Sequence, residues 1–199
     1  MNAQDRMMQK KWGIFNHYLY RSEKGYTDWR GADPAEIRKM AAEWNEQVDS
    51  FDTEKLARTL HEIGCGYYII TVMQGTRFLI APNAAYSRIT GIAPGEACCR
   101  RDLIRDIGEA LRKYDIDLFL YYTGDGPHFD KTAGPAMGLY EDYEANIHGR
   151  VNRRFVENWA AVLEEYAVRY GALVKGWWVD GCYESLGYDN ELLSVYHAA

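Results

Sequence analysis

The sequence is poor in residues that would staple, span or chelate. It has 4 cysteines among 199 residues, and Cys65, Cys98, Cys99 and Cys182 show no CxxC spacing. That argues against a zinc ribbon or a disulfide framework. Cys98 and Cys99 are neighbours, which makes a poor zinc pair and a strained disulfide. The expectation is four reduced thiols in a cytoplasmic protein. The first residues, MNAQDRMMQKK, are polar and carry no apolar stretch of the secretory kind. No run approaches the roughly 20 apolar residues of a membrane span, so no membrane partner is expected. Basic residues are also in deficit: Lys plus Arg number 23 against 29 Asp plus Glu, a net charge of −6. A broad phosphate-binding surface needs the opposite sign, so no nucleic-acid partner is expected. GxSxG, P-loop and GxGxxG motifs are missing. His17, His61, His128, His148 and His197 are scattered without an HxH or HxxxH pair, so neither a metal nor a cofactor is expected.

What is present is apolar and aromatic. Hydrophobic residues make up 47% and charged ones 26%, which excludes a disordered chain. The length fits one domain over residues 1–199 with its own core. The aromatic share is 14%, with 6 Trp and 16 Tyr. These side chains join a flat apolar face to a polar tip, which suits pockets for amphipathic ligands such as sugars.

Strand-like and helix-like runs alternate along the chain. Residues 12–20 read as the first strand. Asp33, Pro34 and Glu36 then open a helix, with an N-cap, a first-position proline and a capping-box acid. Ile37, Met40, Ala41, Trp44 and Val48 give its apolar stripe. A second helix covers residues 53–63, capped by Asp52 and stopped by Gly64. Residues 67–73 form a β-branched and aromatic strand, buried on both sides. Residues 74–99 read as a long ordered loop, a length usually tied to function. A helix over 100–114, a strand over 117–123, a Gly-rich loop to about 148, a helix over 151–170 and a strand over 174–180 complete the pattern. The last residues start one more short helix.

Four such βα units predict an α/β fold with a parallel sheet, barrel-like but only half of an eight-fold (β/α) barrel. A closed barrel takes about 250 residues. An open half leaves two parallel edges, and such edges invite pairing with another copy. A homo-oligomer through the open sheet edges is therefore one expectation.

In such sheets the active site lies at the carboxyl ends of the strands. Asp180 ends an apolar strand beside Trp177 and Trp178 and is followed by Gly181. It suits a nucleophile or general base, or else a helix cap. His17 near the end of the first strand is a substrate-contact candidate or a core imidazole. Tyr121 and Tyr122 alternate in direction, so only one faces the site. Gln74 and Arg77 follow the second strand as hydroxyl binders or as plain surface residues. Asp125 and Glu184 are further carboxyl groups after strands, as proton donors or turn residues.

Taken in order, these segments resemble the catalytic domain of the α-L-fucosidases of glycoside hydrolase family 29. Trp12-Gly13-Ile14-Phe15-Asn16-His17-Tyr18 is similar to that family's first-strand signature. Gly64-Cys65-Gly66-Tyr67-Tyr68 is similar to its second-strand entry, with Phe51-Asp52 before it. Arg101-Asp102-Leu103-Ile104 with Tyr121-Tyr122, and Trp177-Trp178-Val179-Asp180-Gly181, are similar to later signatures. The resemblance implies a retaining glycosidase acting on a small carbohydrate. Asp180 would be the nucleophile, His17 and one of Tyr121 or Tyr122 would hold sugar hydroxyls, and Trp178 would form an apolar wall. The family's His-His pair is replaced by Gln74 and Gly75. Its general acid/base belongs to a second half-barrel that lies outside these residues. The second carboxyl group that retention requires would come from Glu184, Asp125 or a partner subunit. The alternatives are a sugar-binding relative without activity and a half-barrel that works only as an oligomer.

Overall fold

The computed structural model describes residues 2–20, 33–75, 77–139 and 152–199. Its frame is a parallel sheet of four strands: β1 (Gly13–Asn16), β2 (Tyr67–Thr71), β3 (Asp117–Thr123) and β4 (Val174–Asp180). They lie in the order β1-β2-β3-β4, so each strand neighbours the one before it in the chain. This is the order within a (β/α) barrel, but the sheet does not close. Among the described residues, the outer edges of β1 and β4 pair with no strand.

Helices make the crossovers. α1 (Ala3–Lys10) precedes β1, and α2 (Pro34–Asp49) and α3 (Thr53–Glu62) link β1 to β2. α4 (Ala84–Thr90) and α5 (Leu103–Arg112) link β2 to β3. α6 (Ala133–Met137) and α7 (Arg153–Tyr170) link β3 to β4, and α8 (Asn190–Ala198) follows. The expected caps form. Asp33 accepts the Ala35 N–H with Pro34 in the first turn, and Asp52 accepts the Lys55 N–H.

Strand periodicity sorts the side chains onto two faces. Ile14, Tyr68, Ile70, Leu118, Leu120, Tyr122 and Val174 pack into the main core under the helices. The opposite face carries Phe15, Ile69, Phe119, Tyr121 and Trp178. Its lower part is a small separate core of Ile69, Phe119 and Tyr121, covered by Ala3 and Met7 of α1 and by Tyr67. Arg6 anchors α1 there with two hydrogen bonds to Asp117, at 3.0 and 3.1 Å. Gly176 lets α1 approach, since a Cβ there would lie 2.6 Å from that of Ala3.

One irregularity matters for the site. Leu118 pairs with Val174, but Phe119 pairs with Gly176, so Lys175 is an extra residue in β4. This bulge shifts the alternation by one. Trp178 and Asp180 therefore share a face with their neighbours Tyr121 and Thr123, rather than facing the helices.

Several expectations need correction. The first strand is shorter than residues 12–20, and the loop that follows it, 21–32, lies outside the described residues. Residues 74–99 are not all loop: Asn83 caps α4 by accepting the Tyr86 N–H, and Gly91 ends it. The Gly-rich stretch after β3 contains α6, while residues 140–151 lie outside the described residues. The polar N-terminal segment, to which the sequence pattern assigned no element, contains the helix α1.

Candidate active site

Asp180 is the last residue of β4, and Gly181 follows at φ +77, a conformation that favours glycine. Both carboxylate oxygens are occupied. The Tyr121 hydroxyl donates to Oδ2 at 2.9 Å, and the Tyr183 hydroxyl donates to Oδ1 at 2.8 Å. Burial alone would raise the Asp180 pKa. It is outweighed by the hydrogen bonds from Tyr183, the Gly181 N–H and Tyr121, and by the charge of His17. The carboxyl group is held below its ordinary value, so it is ionised at neutral pH. Tyr121 moves the other way, because burial and then the hydrogen bond to Asp180 keep its phenol protonated.

A relay extends behind Tyr121. The Gln74 amide donates to the Tyr121 oxygen at 3.3 Å. That contact uses an acceptor site on the hydroxyl and leaves its one proton for Asp180. His17, just past β1, has Nδ1 2.7 Å from the Thr71 hydroxyl at the end of β2. Its ring meets the Tyr121 edge at 5.0 Å and the Phe15 ring at 4.7 Å. The ring of Phe15 is 5.8 Å from that of Trp178, and these side chains are 40% and 48% exposed. An anionic carboxylate, an imidazole, two phenols and an open aromatic floor thus share one rim.

The sequence candidates divide accordingly. Asp180, His17, Gln74, Tyr121 and Trp178 come together. Tyr122 does not. It faces the helices, stacks on Trp159 at 4.6 Å and donates its hydroxyl to the Trp159 carbonyl at 2.7 Å. Strand alternation sends it there, and it belongs to the core. Glu184 starts an exposed 3-10 turn, and its side chain makes no hydrogen bond or ion pair with the rim. Arg77 is no surface residue. It forms a double hydrogen bond with Asp130, the two side chains being 6% and 3% exposed, and so ties the loops after β2 and β3 together.

Three contributors escaped the sequence reading. Tyr183 sits three residues past Asp180, beyond the strand pattern. Phe15 was legible as sharing the parity of His17. Thr71 ends a strand that read as uniformly buried. Among the described residues no group of three or more His, Cys, Asp or Glu gathers to hold a metal. No described helix is long and apolar enough to cross a membrane.

No protein-family model matches the chain, and no curated protein does. Solved structures do. A bacterial fucosidase with an iminocyclitol inhibitor superposes with a TM-score of 0.62 at 22% identity, over 90% of this chain and 41% of that one. A family 29 α-L-fucosidase from Bacteroides thetaiotaomicron gives 0.56 at 22% identity, with the same shares of 90% and 41%. A fucosyltransferase mutant of another α-L-fucosidase gives 0.64 at 17% identity, over 98% of this chain and 65% of that one. The fold matches part of the (β/α) barrel of these structures, four parallel strands with helical crossovers that do not close. The chain spans 41% of the length of the first two structures.

Proposed function

We propose that this rim binds a small carbohydrate and that the chain carries the nucleophile half of a retaining glycosidase of the α-L-fucosidase kind. The observation that carries this reading is Asp180, ionised, held by two tyrosine hydroxyls and set at the carboxyl end of a barrel strand. In the proposed reaction one Asp180 oxygen attacks the anomeric carbon as the glycosidic C–O bond breaks. The leaving oxygen takes a proton from an acid, and water then releases the sugar from the ester. His17 and Tyr121 would hold sugar hydroxyls, and Phe15 and Trp178 would pack on the apolar face of the ring. The acid is not assigned. The exposed position of Glu184 gives it no geometric support.

A second reading is favoured by that same gap: a sugar-binding relative that lacks turnover. A third takes its support from the unpaired edges of β1 and β4, which a second copy of the chain could cover. The test is hydrolysis of an aryl α-L-fucoside, with binding of L-fucose measured in parallel. The hydrolase reading expects turnover that Asp180→Asn lowers by about 10³-fold or more. Binding without turnover in the native sequence supports the second reading. A mass of one chain in solution removes the third.

A further inference from the structure

We propose that Tyr183 is a displaceable cover over the reacting oxygen of Asp180: its hydroxyl occupies Oδ1 in the free protein and yields that oxygen to the anomeric carbon of a bound sugar. This rests on the reading of Asp180 as a nucleophile and adds which of its two oxygens attacks.

The two phenols on Asp180 are held very differently. Tyr121 is 2% exposed, lies within β3 and packs with Ile69 and Phe119. Its hydroxyl has the Gln74 amide behind it at 3.3 Å and donates to Oδ2 at 2.9 Å. Taking Tyr121 off Oδ2 would mean breaking into that small core. Tyr183 is 57% exposed. Its hydroxyl donates to Oδ1 at 2.8 Å and has no other hydrogen-bond partner among the described residues. The backbone around it is nevertheless anchored. Cys182 packs on Gly124, where a Cβ would lie 2.0 Å from its Sγ, and Leu186 packs against the main core. Tyr188, 3% exposed, donates its hydroxyl to the Gly124 carbonyl. A turn of the Tyr183 side chain therefore uncovers Oδ1 without moving the segment that carries it.

The chemistry needs the same asymmetry. A carboxylate that attacks carbon gives up a lone pair on one oxygen, and a hydroxyl that donates to that oxygen competes for it. As Oδ1 bonds to the anomeric carbon, the bond to the leaving group breaks and its electron pair departs with that group. Oδ1 becomes the bridging oxygen of the ester, and Oδ2 becomes the carbonyl. Tyr121 can donate to Oδ2 throughout, first to the carboxylate and then to the ester carbonyl. Tyr183 has to leave Oδ1 before the carbon arrives. Its bond to an ionised group is then lost each time a sugar seats, and the sugar's contacts with the rim must offset that loss.

The test compares the native chain with Tyr183→Phe and Tyr121→Phe at pH 7. Binding of L-fucose is measured first. Ester formation from 2-deoxy-2-fluoro-α-L-fucosyl fluoride is then followed by intact mass; fluoride leaves without a proton, so the unassigned acid is not needed. Tyr183→Phe is expected to bind L-fucose about tenfold more tightly and to form the ester about tenfold faster, because no hydrogen bond has to be broken. Tyr121→Phe is expected to weaken binding and slow the ester. Weaker binding in Tyr183→Phe would show that the phenol holds the sugar, and unchanged binding would show that it only props the turn; either result overturns the proposal. Tyr183→Leu also lacks the hydroxyl and carries the test if the Phe variant does not fold. Tighter binding in Tyr183→Phe with no ester in any form keeps the cover and defeats the hydrolase reading. An ester in the native chain that Tyr183→Phe slows does the reverse. A rim that takes neither L-fucose nor the donor in any form removes both.

Discussion

The Tyr121 hydroxyl donates to Asp180 Oδ2 across adjacent strands at 2.9 Å, and the bulge at Lys175 makes that contact possible. Without the extra residue, β4 would turn Asp180 toward the helices. Tyr121→Phe removes a hydrogen bond that favours the charged carboxylate, so the Asp180 pKa rises toward its ordinary value. An NMR pH titration that follows the Asp180 carboxyl carbon measures the change. A folded-state pKa below the unfolded one stabilises the fold at pH above the unfolded value, and that stability is lost as pH falls through the folded value. Tyr121→Phe therefore weakens the acid sensitivity of unfolding; urea midpoints at pH 3 and pH 6 check the sign.

Tyr122→Phe serves as the contrast on the opposite face. It removes a buried hydrogen bond to Trp159 and costs about 1 kcal/mol of stability. Binding of L-fucose should stay unchanged, whereas Tyr121→Phe weakens it. Equal effects of the two substitutions on binding would show that the face assignment is mistaken.

Sheet parity was legible in the sequence, and so were Asp180, His17 and one of Tyr121 or Tyr122 as candidates at strand ends. Periodicity two reports which residues share a face, and a Gly after an apolar run marks where the strand stops. Parity alone could not choose between Tyr121 and Tyr122, because both are good strand formers. The choice depends on the helix layer, where Trp159 supplies the carbonyl that Tyr122 needs. Nor could it assign Arg77. A charged residue in a polar loop is ordinarily solvated, and only the fold brings Asp130 to it across 53 residues of chain. α1 was missed because its burial comes from one Ala-Met face and one ion pair to β3 rather than from an apolar stripe of its own.

The Arg77–Asp130 pair gives a stability prediction. Arg77→Met leaves a buried carboxylate whose remaining partners are the Thr132 and Ala133 N–H groups. The expected cost is about 3–5 kcal/mol, read from chemical denaturation. Adding Asp130→Asn to Arg77→Met should recover part of that loss, because the buried charge is gone. A further loss equal to that of Asp130→Asn alone would show that the two residues are not coupled.

The thiols should be unreactive in the folded protein. Burial pushes Cys98 and Cys182 up to about 12, and it also raises Cys65 and Cys99. Because the thiolate is the reactive form, Ellman's reagent at pH 8 should label the native chain slowly. All 4 cysteines should react quickly once the chain is unfolded. Rapid labelling of Cys182 in the native chain would contradict its packing beside Gly124.

The central claim, that Asp180 forms a covalent bond to a sugar, is tested most directly by mass spectrometry. The protein is incubated with a 2-deoxy-2-fluoro-α-L-fucosyl donor, which slows release of the ester, and is then digested. The account predicts that the peptide containing Asp180 gains the mass of one fluorosugar and that Asp180→Asn gains none. A label on a different residue, or no label under conditions where the donor binds, would contradict it.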